Sequence, residues 1–275
     1  MLEKIRMRSV VFIALPALAL VACSSPEDVA EATGVEDKAT LAAGTPPQPP
    51  APAGDTVSVK DENDLYSFDF SYPGAVAEIP ALKSQFEKKR DASKAALVKE
   101  AREAQTDAKE MGFPYNAYAE GTQWKVVTDT PRFLSLSADI YSYTGGAHPN
   151  STSDSLVWDK NAARSLKSID LFTSGEALRR SLSADYCEQL DQLRAKRRGA
   201  PVDGGDGLFS ECPNLDELVI LLGSSTGEQF NRIGLIAPPY VAGSYAEGAY
   251  EVTLPVTAAV LETVKPAYRD AFSVK

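Results

Sequence analysis

The chain has 275 residues, 44% of them hydrophobic and 24% charged, so it is long and apolar enough to form a folded core in one or two domains. Its 28 basic and 38 acidic residues give a formal net charge of -10, which argues against nucleic-acid binding, since that depends on clustered Lys and Arg. The single histidine, His148, excludes sites that need two imidazoles, such as the H-E-x-x-H zinc proteases.

Residues 1–22 are typical of an export signal. Lys4, Arg6 and Arg8 precede a short apolar stretch over residues 10–21. A helix of that length spans only about 18 Å, whereas a bilayer core is about 30 Å thick. The pattern therefore favours a cleaved signal peptide over a membrane-spanning helix.

The signal ends in Leu20-Val21-Ala22-Cys23, which resembles the lipobox of bacterial lipoproteins. The resemblance implies that Cys23 is acylated and becomes the first mature residue. Ser24 in the second mature position implies sorting to the outer membrane, with the chain facing the periplasm. The alternative is an ordinary signal peptide in which the cysteine is incidental. Loss of residues 1–22 leaves 25 basic and 37 acidic residues, a net charge of -12.

Residues 23–58 have the composition of a linker. The segment contains no aromatic residue and includes the run Thr45-Pro46-Pro47-Gln48-Pro49-Pro50. Such a stretch cannot bury enough apolar surface to offset the entropy lost on folding, and its prolines favour an extended backbone. We predict a disordered spacer between the acylated Cys23 and a globular part.

The N-terminal half, residues 59–168, alternates strand patterns with one long helical pattern. Alternating aromatic residues over 65–72 predict a half-buried strand, and an apolar stripe over 81–111 predicts a helix. Three further strands are predicted: one beginning at Trp124, one over 133–144 and one around 156–158. The last two are joined across Gly145-Gly146, as expected of a hairpin.

The C-terminal half, residues 169–275, repeats this mixture. A helix is predicted over 175–195 and a final helix, interrupted near Pro266, over 258–272. Strands are predicted over 218–222, 232–237 and 249–256. Runs of strands with only a few helices favour an α+β fold, here in two packed halves, each an antiparallel sheet with one or two helices.

Cys187 and Cys212 are the cysteines that follow the lipobox in this exported chain. A disulfide between them is the natural expectation, closing a ring of about 26 residues. Two buried free thiols are the alternative. A metal site is less favoured, because two sulfurs without a nearby histidine leave the coordination sphere incomplete.

Two other motifs carry little chemistry. The segment Gly223–Gly227 matches G-x-S-x-G, but no histidine follows Ser225, so a hairpin turn is favoured over a catalytic elbow. The segment Asp203–Gly207 has glycines at the alternate positions where a calcium loop needs acidic groups. It is interpreted as a flexible turn.

The stretch Tyr143-Thr144-Gly145-Gly146-Ala147-His148-Pro149-Asn150 is the best candidate for a functional loop. Its glycines permit close backbone approach, and the proline restricts the chain after the imidazole. Tyr143 and His148 can then present an aromatic face and a hydrogen-bonding ring at the end of a strand. The competing interpretation is a tight turn in which His148 has only a capping role.

This stretch, with Trp158-Asp159 and Ile169-Asp170-Leu171-Phe172 after it, resembles a bacterial envelope module of uncharacterised function. The module occurs beside the catalytic domain of PdaC-type peptidoglycan deacetylases and in lysozyme-sensing anti-sigma factors of the RsiV type. The segment 236–248, which contains Tyr240 and Tyr245, resembles the family's PY…A…G stretch.

The resemblance implies an α+β fold in two packed halves without the deacetylase activity of the larger relatives. That activity needs an Asp and two His on a metal, and this chain has one His. The sensing relatives also carry a transmembrane helix and a sigma-binding region, which are not seen in this sequence. Sensing by their route is therefore not implied.

We expect a non-catalytic binding module, with no cofactor and no metal. The candidate ligand-binding residues are Tyr143, Gly145, Gly146, His148, Asn150, Tyr240 and Tyr245. Tyrosine suits sugar stacking or a protein interface, so the expected partner is peptidoglycan or a basic lysozyme-like protein. The alternatives are a hydrolase of cell-wall polysaccharide using His148 or a carboxylate pair, and a structural spacer.

Overall fold

The computed structural model describes residues 55–202 and 207–275, all within one structural unit. The predicted signal peptide, the acylated Cys23, nearly all of the linker and the centre of the Gly-rich loop at 203–206 lie outside the described residues. The described chain folds into a six-stranded sheet and a three-stranded sheet with helices packed against them. The predicted α+β class is confirmed.

The N-terminal half is built on the six-stranded sheet, whose strands lie side by side in chain order. They are β1 (Val57–Glu62), β2 (Tyr66–Tyr72), β3 (Tyr118–Asp129), β4 (Phe133–Tyr143), β5 (Asn150–Asp159) and β6 (Arg164–Leu166). The first two residues of β1 thus fall within the segment assigned to the linker. Because Lys60, Asp61 and Glu62 are charged, this edge strand lacks the apolar alternation from which a strand is predicted.

One strand pair departs from the expected antiparallel arrangement. Strands β2 and β3 are parallel, whereas every other neighbouring pair in the sheet is antiparallel. A parallel pair needs a long crossover, and the connection here contains α1 (Gly74–Ala77) and the 32-residue α2 (Pro80–Met111). The long helical pattern between the two strands was the sequence signal for this pairing.

Helix α2 covers one face of the six-stranded sheet. It begins at Pro80, in the first turn, where a backbone N–H would have no partner within the helix in any case. It ends before Gly112, which adopts a left-handed φ of 75°. The Phe86 ring lies 4.9 Å from the Trp124 ring and 5.6 Å from the Tyr72 ring, centroid to centroid. This aromatic core fixes which face of the sheet remains uncovered by α2.

The C-terminal half packs α3 (Gly175–Arg198) and α4 (Ala258–Thr263) against the three-stranded sheet. Its antiparallel strands are β7 (Val219–Gly223), β8 (Arg232–Ala237) and β9 (Tyr250–Pro255). Ser174 caps α3 by accepting a hydrogen bond from the Ala177 backbone N–H at 3.1 Å. The predicted interruption of the last helix is present, since a 3₁₀ helix over Pro266–Ala271 follows α4.

The two halves share a core. Phe133 on β4 is fully buried and stacks on Phe230, with 5.6 Å between ring centroids. Next to it, Arg132 donates to the Asp270 carboxylate at 2.9 Å and to the Ala267 carbonyl at 3.0 Å. These contacts set the position of the second sheet relative to the first.

Two sequence-level expectations about loops are met. Cys187 on α3 and Cys212 form the predicted disulfide, across a sequence separation of 25. Residues 223–227 form the turn between β7 and β8, in which the Ser224 hydroxyl accepts hydrogen bonds from the Gly227 and Thr226 backbone N–H groups. Among the helices in residues 55–202 and 207–275, none combines the length and hydropathy needed to cross a bilayer.

Candidate ligand-binding site

The first predicted loop closes the hairpin of β4 and β5. Tyr143 is the last residue of β4 and Asn150 the first of β5, which pairs with Ser142. Gly145 has a φ of +78°, a conformation that a side chain would strain, so glycine is needed for the turn at this position. The loop carries His148 outward, where its ring is exposed to solvent.

The second predicted loop connects β8 to β9. Tyr240 has an unusual positive φ of 71° for a residue with a side chain, and its N–H donates to the Gly243 carbonyl at 2.9 Å. A short 3₁₀ turn over Tyr245–Glu247 follows. The strained backbone turns the ring of Tyr240 outward, leaving 52% of that residue exposed.

The two loops bring three rings together. The His148 ring stacks on the Tyr245 ring with 4.1 Å between centroids and 23° between planes. The Tyr240 ring lies 5.9 Å from the Tyr245 ring, and its hydroxyl is 3.3 Å from Nε2 of His148. We call Tyr240, Tyr245 and His148 the aromatic cluster.

The imidazole of the aromatic cluster is oriented by the backbone. Nδ1 of His148 lies 2.9 Å from the Pro149 carbonyl oxygen, which can only accept a hydrogen bond. Nδ1 therefore carries a proton. In the neutral ring Nε2 then accepts a hydrogen bond from the Tyr240 hydroxyl. These two contacts fix the orientation of the imidazole ring.

A groove of about 900 Å³ adjoins the aromatic cluster. Its floor is the face of the six-stranded sheet that α2 leaves uncovered, and its wall is the loop between β8 and β9. The lining combines hydroxyls, carboxylates, an amide and tyrosine rings: Asp69, Ser71, Gln123, Asp139, Tyr141, Ser151, Ser153, Pro239, Tyr245, Glu247 and Glu251. We call this space the groove.

The strand register explains why the floor of the groove is polar. Gln123, Asp139 and Ser153 are direct neighbours across β3, β4 and β5. Gly121, Tyr141 and Ser151 form the next such row, in which the glycine leaves the tyrosine side chain uncovered on one side. Alternate residues of each strand point to opposite faces, so these rows lie opposite the apolar core.

Glu247 holds the loop of Tyr245 in place. Its carboxylate accepts hydrogen bonds from the Ser244 N–H at 3.0 Å, from Nε of Arg198 at 2.8 Å and from the Tyr250 hydroxyl. Burial alone would raise the pKa of Glu247, but these bonds outweigh it and lower the pKa to about 2. Glu247 is therefore an anion throughout the physiological pH range.

The C-terminal end of α3 ties down the same loop. Arg197 donates to the carbonyls of Glu247 and Ala249 at 2.6 and 2.7 Å. Arg194, which is fully buried, donates from Nε to the Ala242 carbonyl at 2.9 Å. The wall of the groove is thus anchored by a helix, so the aromatic cluster is held in position before any ligand arrives.

The part of the chain that forms most of the groove floor matches a known family model. Residues 59–151 match the family model described as Deacetylase PdaC. The resemblance to the PdaC-associated module is confirmed over these residues. PdaC-like domains are envelope-associated.

Two solved structures are similar to the chain at low identity. One is a DUF3298 family member from Bacteroides fragilis NCTC 9343, at 18% identity and a TM-score of 0.44, covering 76% of this chain and 92% of that one. The other is a DUF3298 family protein from Pseudomonas aeruginosa PAO1, at 16% identity and a TM-score of 0.47, covering 83% and 99%. The curated proteins compared with the chain gave no match.

The PdaC-like segment contains the loop of His148 and most of the groove floor, but the loop of Tyr240 and Tyr245 lies outside it. Of the predicted residues, His148, Tyr240 and Tyr245 meet in space. Tyr143, Gly145, Gly146 and Asn150 shape the hairpin that carries His148. Sequence reasoning missed Tyr141 and Glu247, although the alternation of β4 already placed Tyr141 on the polar face.

Two carboxylates of the groove floor form ion pairs with lysines. Asp69 pairs with Lys60 at 2.8 Å, and Asp139 pairs with Lys125. A glycosidase needs one carboxyl group kept protonated near neutral pH, and the lowered pKa of Glu247 excludes it from that role. Within the described residues, His, Cys, Asp and Glu form no group of three able to hold a metal ion.

Proposed function

We propose that the groove and the aromatic cluster bind a cell-wall glycan strand without cleaving it. The observation that carries this proposal is the stacking of His148 on Tyr245, 4.1 Å apart, at the edge of a polar groove of about 900 Å³. That volume lies in the range of sites for small ligands, which a short stretch of sugar rings would fill.

The chemistry of the lining suits sugars. A pyranose ring has apolar C–H faces, for which the exposed ring of Tyr141 and the half-buried ring of Tyr245 are suitable platforms. Its hydroxyl groups need fixed donors and acceptors, and the floor offers the amide of Gln123 and the hydroxyls of Ser151 and Ser153. A long polymer can run along the groove because the groove is open at the surface.

For location, we propose the arrangement predicted from the sequence. Cys23 is the lipid anchor at the outer membrane, the residues between Cys23 and β1 are the spacer, and the chain from Val57 onward forms the periplasmic module. Stable membrane anchoring requires more than one membrane-binding signal, and the several acyl chains on a lipoprotein cysteine meet this requirement. The envelope character of the PdaC-like segment supports this placement.

Sedimentation with insoluble peptidoglycan tests the glycan proposal. The mature chain carrying Cys23→Ser, to keep it out of membranes, is mixed with purified sacculi and centrifuged. We expect it to pellet, Tyr245→Ala and His148→Ala to pellet to a clearly smaller extent, and the control Phe113→Ala to pellet like the parent. Phe113 is a suitable control because it is 66% exposed and does not line the groove.

Equal pelleting of all variants, or of none, would contradict the proposal. The supernatants also test the hydrolase alternative, since a glycan-cleaving enzyme would release soluble fragments during the incubation. We expect no release above that from sacculi alone.

A basic envelope protein is the second candidate, and the acidic lining favours it. Asp69, Asp139, Glu247 and Glu251 all line the groove. The first three form ion pairs with Lys60, Lys125 and Arg198, so the attraction rests on Glu251 and on the predicted mature charge of -12. A basic partner such as a lysozyme-type protein would be attracted by this field, with an affinity that falls as salt is added. Capture of lysozyme on the immobilised chain, weakened in Glu251→Gln and lost in salt, would favour this candidate over the glycan.

A further inference from the structure

A pair of adjoining cavities lies away from the groove, beside the disulfide. The inner cavity has a volume of about 120 Å³ and is walled by α3, the disulfide and the segment after it. The outer cavity, of about 670 Å³, continues toward the first residues of α3 and the start of β7. Arg179, Asn214, Leu215 and Leu218 line both, so the two cavities are neighbouring parts of one space.

Each cavity is lined by a residue whose buried hydroxyl has no partner. The hydroxyls of Tyr186, at the inner cavity, and Ser168, at the outer one, make no hydrogen bond within the described part of the chain. The two residues are only 3% and 2% exposed. Buried polar groups are almost always satisfied, and one left unpaired calls for a missing ligand or water.

The inner cavity combines apolar side chains with the polar residues Arg179, Ser183 and Asn214. Leu182, Leu215 and Leu235 surround it, together with the Cys187–Cys212 disulfide. Burial raises the pKa of Tyr186 to about 12, so its hydroxyl remains protonated and able to donate. A ligand group that sits against Tyr186 must therefore include a hydrogen-bond acceptor.

The charges around these cavities favour an anion at the point where they join. Glu176 pairs with Arg180 at 2.6 Å and Asp154 pairs with Lys89 at 3.6 Å, which neutralises both carboxylates. Among the described residues Arg179 forms no ion pair, and it lines both cavities. Lys167 and Asp216 also line the outer cavity, and their opposite charges cancel.

We infer that these adjoining cavities form a second binding site, for a small amphipathic carboxylate. The carboxylate lies against Arg179, Asn214 and Tyr186, and a short apolar body packs on Leu215 and Leu218. The small inner volume limits the ligand to a few carbon atoms there, with the rest in the outer cavity. The site is separate from the groove and does not depend on the proposed glycan function.

Titration with hexanoate, followed by amide chemical shifts of the mature chain carrying Cys23→Ser, tests the inference. We expect saturable shifts that include Leu182, Tyr186 and Leu235, with no change at His148 or Tyr245. Hexylamine, which has a similar apolar body and the opposite charge, should bind at least tenfold more weakly. Tyr186→Phe should weaken hexanoate binding several-fold, because it removes the buried donor.

A matched pair of arginine variants separates recognition from general charge. Arg179→Gln should weaken hexanoate binding about tenfold, whereas Arg102→Gln, which removes the same charge from an exposed position on α2, should leave it unchanged. Equal effects of the two variants, equal binding of hexylamine, or no saturable shift up to about 10 mM hexanoate would each overturn the inference. In the last case water alone satisfies the two hydroxyls.

Discussion

The imidazole of His148 lies face to face with the ring of Tyr245, although the two residues belong to loops of different sheets. Each ring is held by its own anchor: the Pro149 carbonyl orients His148, and Glu247 fixes the turn that begins at Tyr245. The contact therefore depends on the packing of the two halves, and it converts two separate loops into one surface beside the groove.

Substitution of His148 tests which property of the ring matters for binding. His148→Phe keeps a flat ring against Tyr245, whereas His148→Ala removes the stacking contact, a loss of about 1 kcal/mol. We expect His148→Ala to weaken binding to soluble peptidoglycan fragments about fivefold and His148→Phe to weaken it less than twofold. Isothermal titration measures both, and a loss in His148→Phe as large as in His148→Ala would show that the nitrogens carry the interaction.

Gly243 is a sensitive point in the groove wall. A Cβ atom there would lie 2.7 Å from Cε2 of Tyr250 and 2.8 Å from Oε2 of Glu247. We expect Gly243→Ala to lower the free energy of unfolding by roughly 1–3 kcal/mol, because a buried ring and an anchored carboxylate must move. Urea unfolding measures this loss.

Gly146→Ala is the control for Gly243→Ala. A Cβ at Gly146 meets nothing within 4 Å, and the residue is exposed. Its stability should change by less than about 0.5 kcal/mol. Equal losses in the two variants would mean that the contacts of Gly243 do not explain its effect.

The sequence was sufficient for most of the fold because local patterns agree with the packing. The alternation of Tyr66, Phe68, Phe70 and Tyr72 predicted a buried face, and all four residues are buried. The periodicity over 81–111 differs from the helix Pro80–Met111 by one residue. Strand β1 was not predicted because its charged residues give no apolar alternation. Its position in the sheet depends on pairing with β2.

The site was only partly predictable for a different reason. His148 and Tyr240 stood out through their motifs, but their meeting depends on how the two sheets pack, which no local pattern encodes. Glu247 looked like an ordinary surface carboxylate in a loop. Its role arises from Arg198 and Tyr250, which reach it from α3 and β9.

Reduction of the Cys187–Cys212 disulfide should destabilise the C-terminal half. The bond closes a loop with a sequence separation of 25, for which a cross-link contributes about 2–4 kcal/mol by restricting the unfolded chain. We expect the Cys187→Ala/Cys212→Ala variant to unfold at a lower urea concentration than the parent. If reductant then lowers the midpoint of the variant as much as that of the parent, the effect does not come from this bond.

Arg194 should be less tolerant of change than the exposed arginines of α3. Its side chain is fully buried and donates to the carbonyls of Ala242 and Glu211, each at 2.9 Å. Arg194→Met removes these charged donors, and we expect a loss of roughly 2–4 kcal/mol. Arg180→Met, on the exposed side of the helix, should change stability by less than about 0.5 kcal/mol. Thermal unfolding monitored by circular dichroism distinguishes the two.

The anchoring of Glu247 makes stability depend on pH in a defined direction. Its folded-state pKa of about 2 lies below the ordinary value of 4.5, so the folded chain binds this proton less readily than the unfolded chain. The resulting stabilisation is fully present above about pH 4.5 and is lost as the pH falls toward 2. Glu247→Gln lacks this contribution, and we expect it to be less stable than the parent by roughly 1–3 kcal/mol at pH 6.

The difference between the parent and Glu247→Gln should then shrink as the pH is lowered from 4.5 toward 2, because the parent's carboxylate becomes protonated as well. Urea unfolding at a series of pH values measures this convergence. Glu251→Gln, an exposed carboxylate on β9, serves as the control and should differ from the parent by less than about 0.5 kcal/mol at pH 6. A constant gap between the parent and Glu247→Gln across this range would show that the lost hydrogen-bond geometry, and not the charge of Glu247, holds the loop of Tyr245.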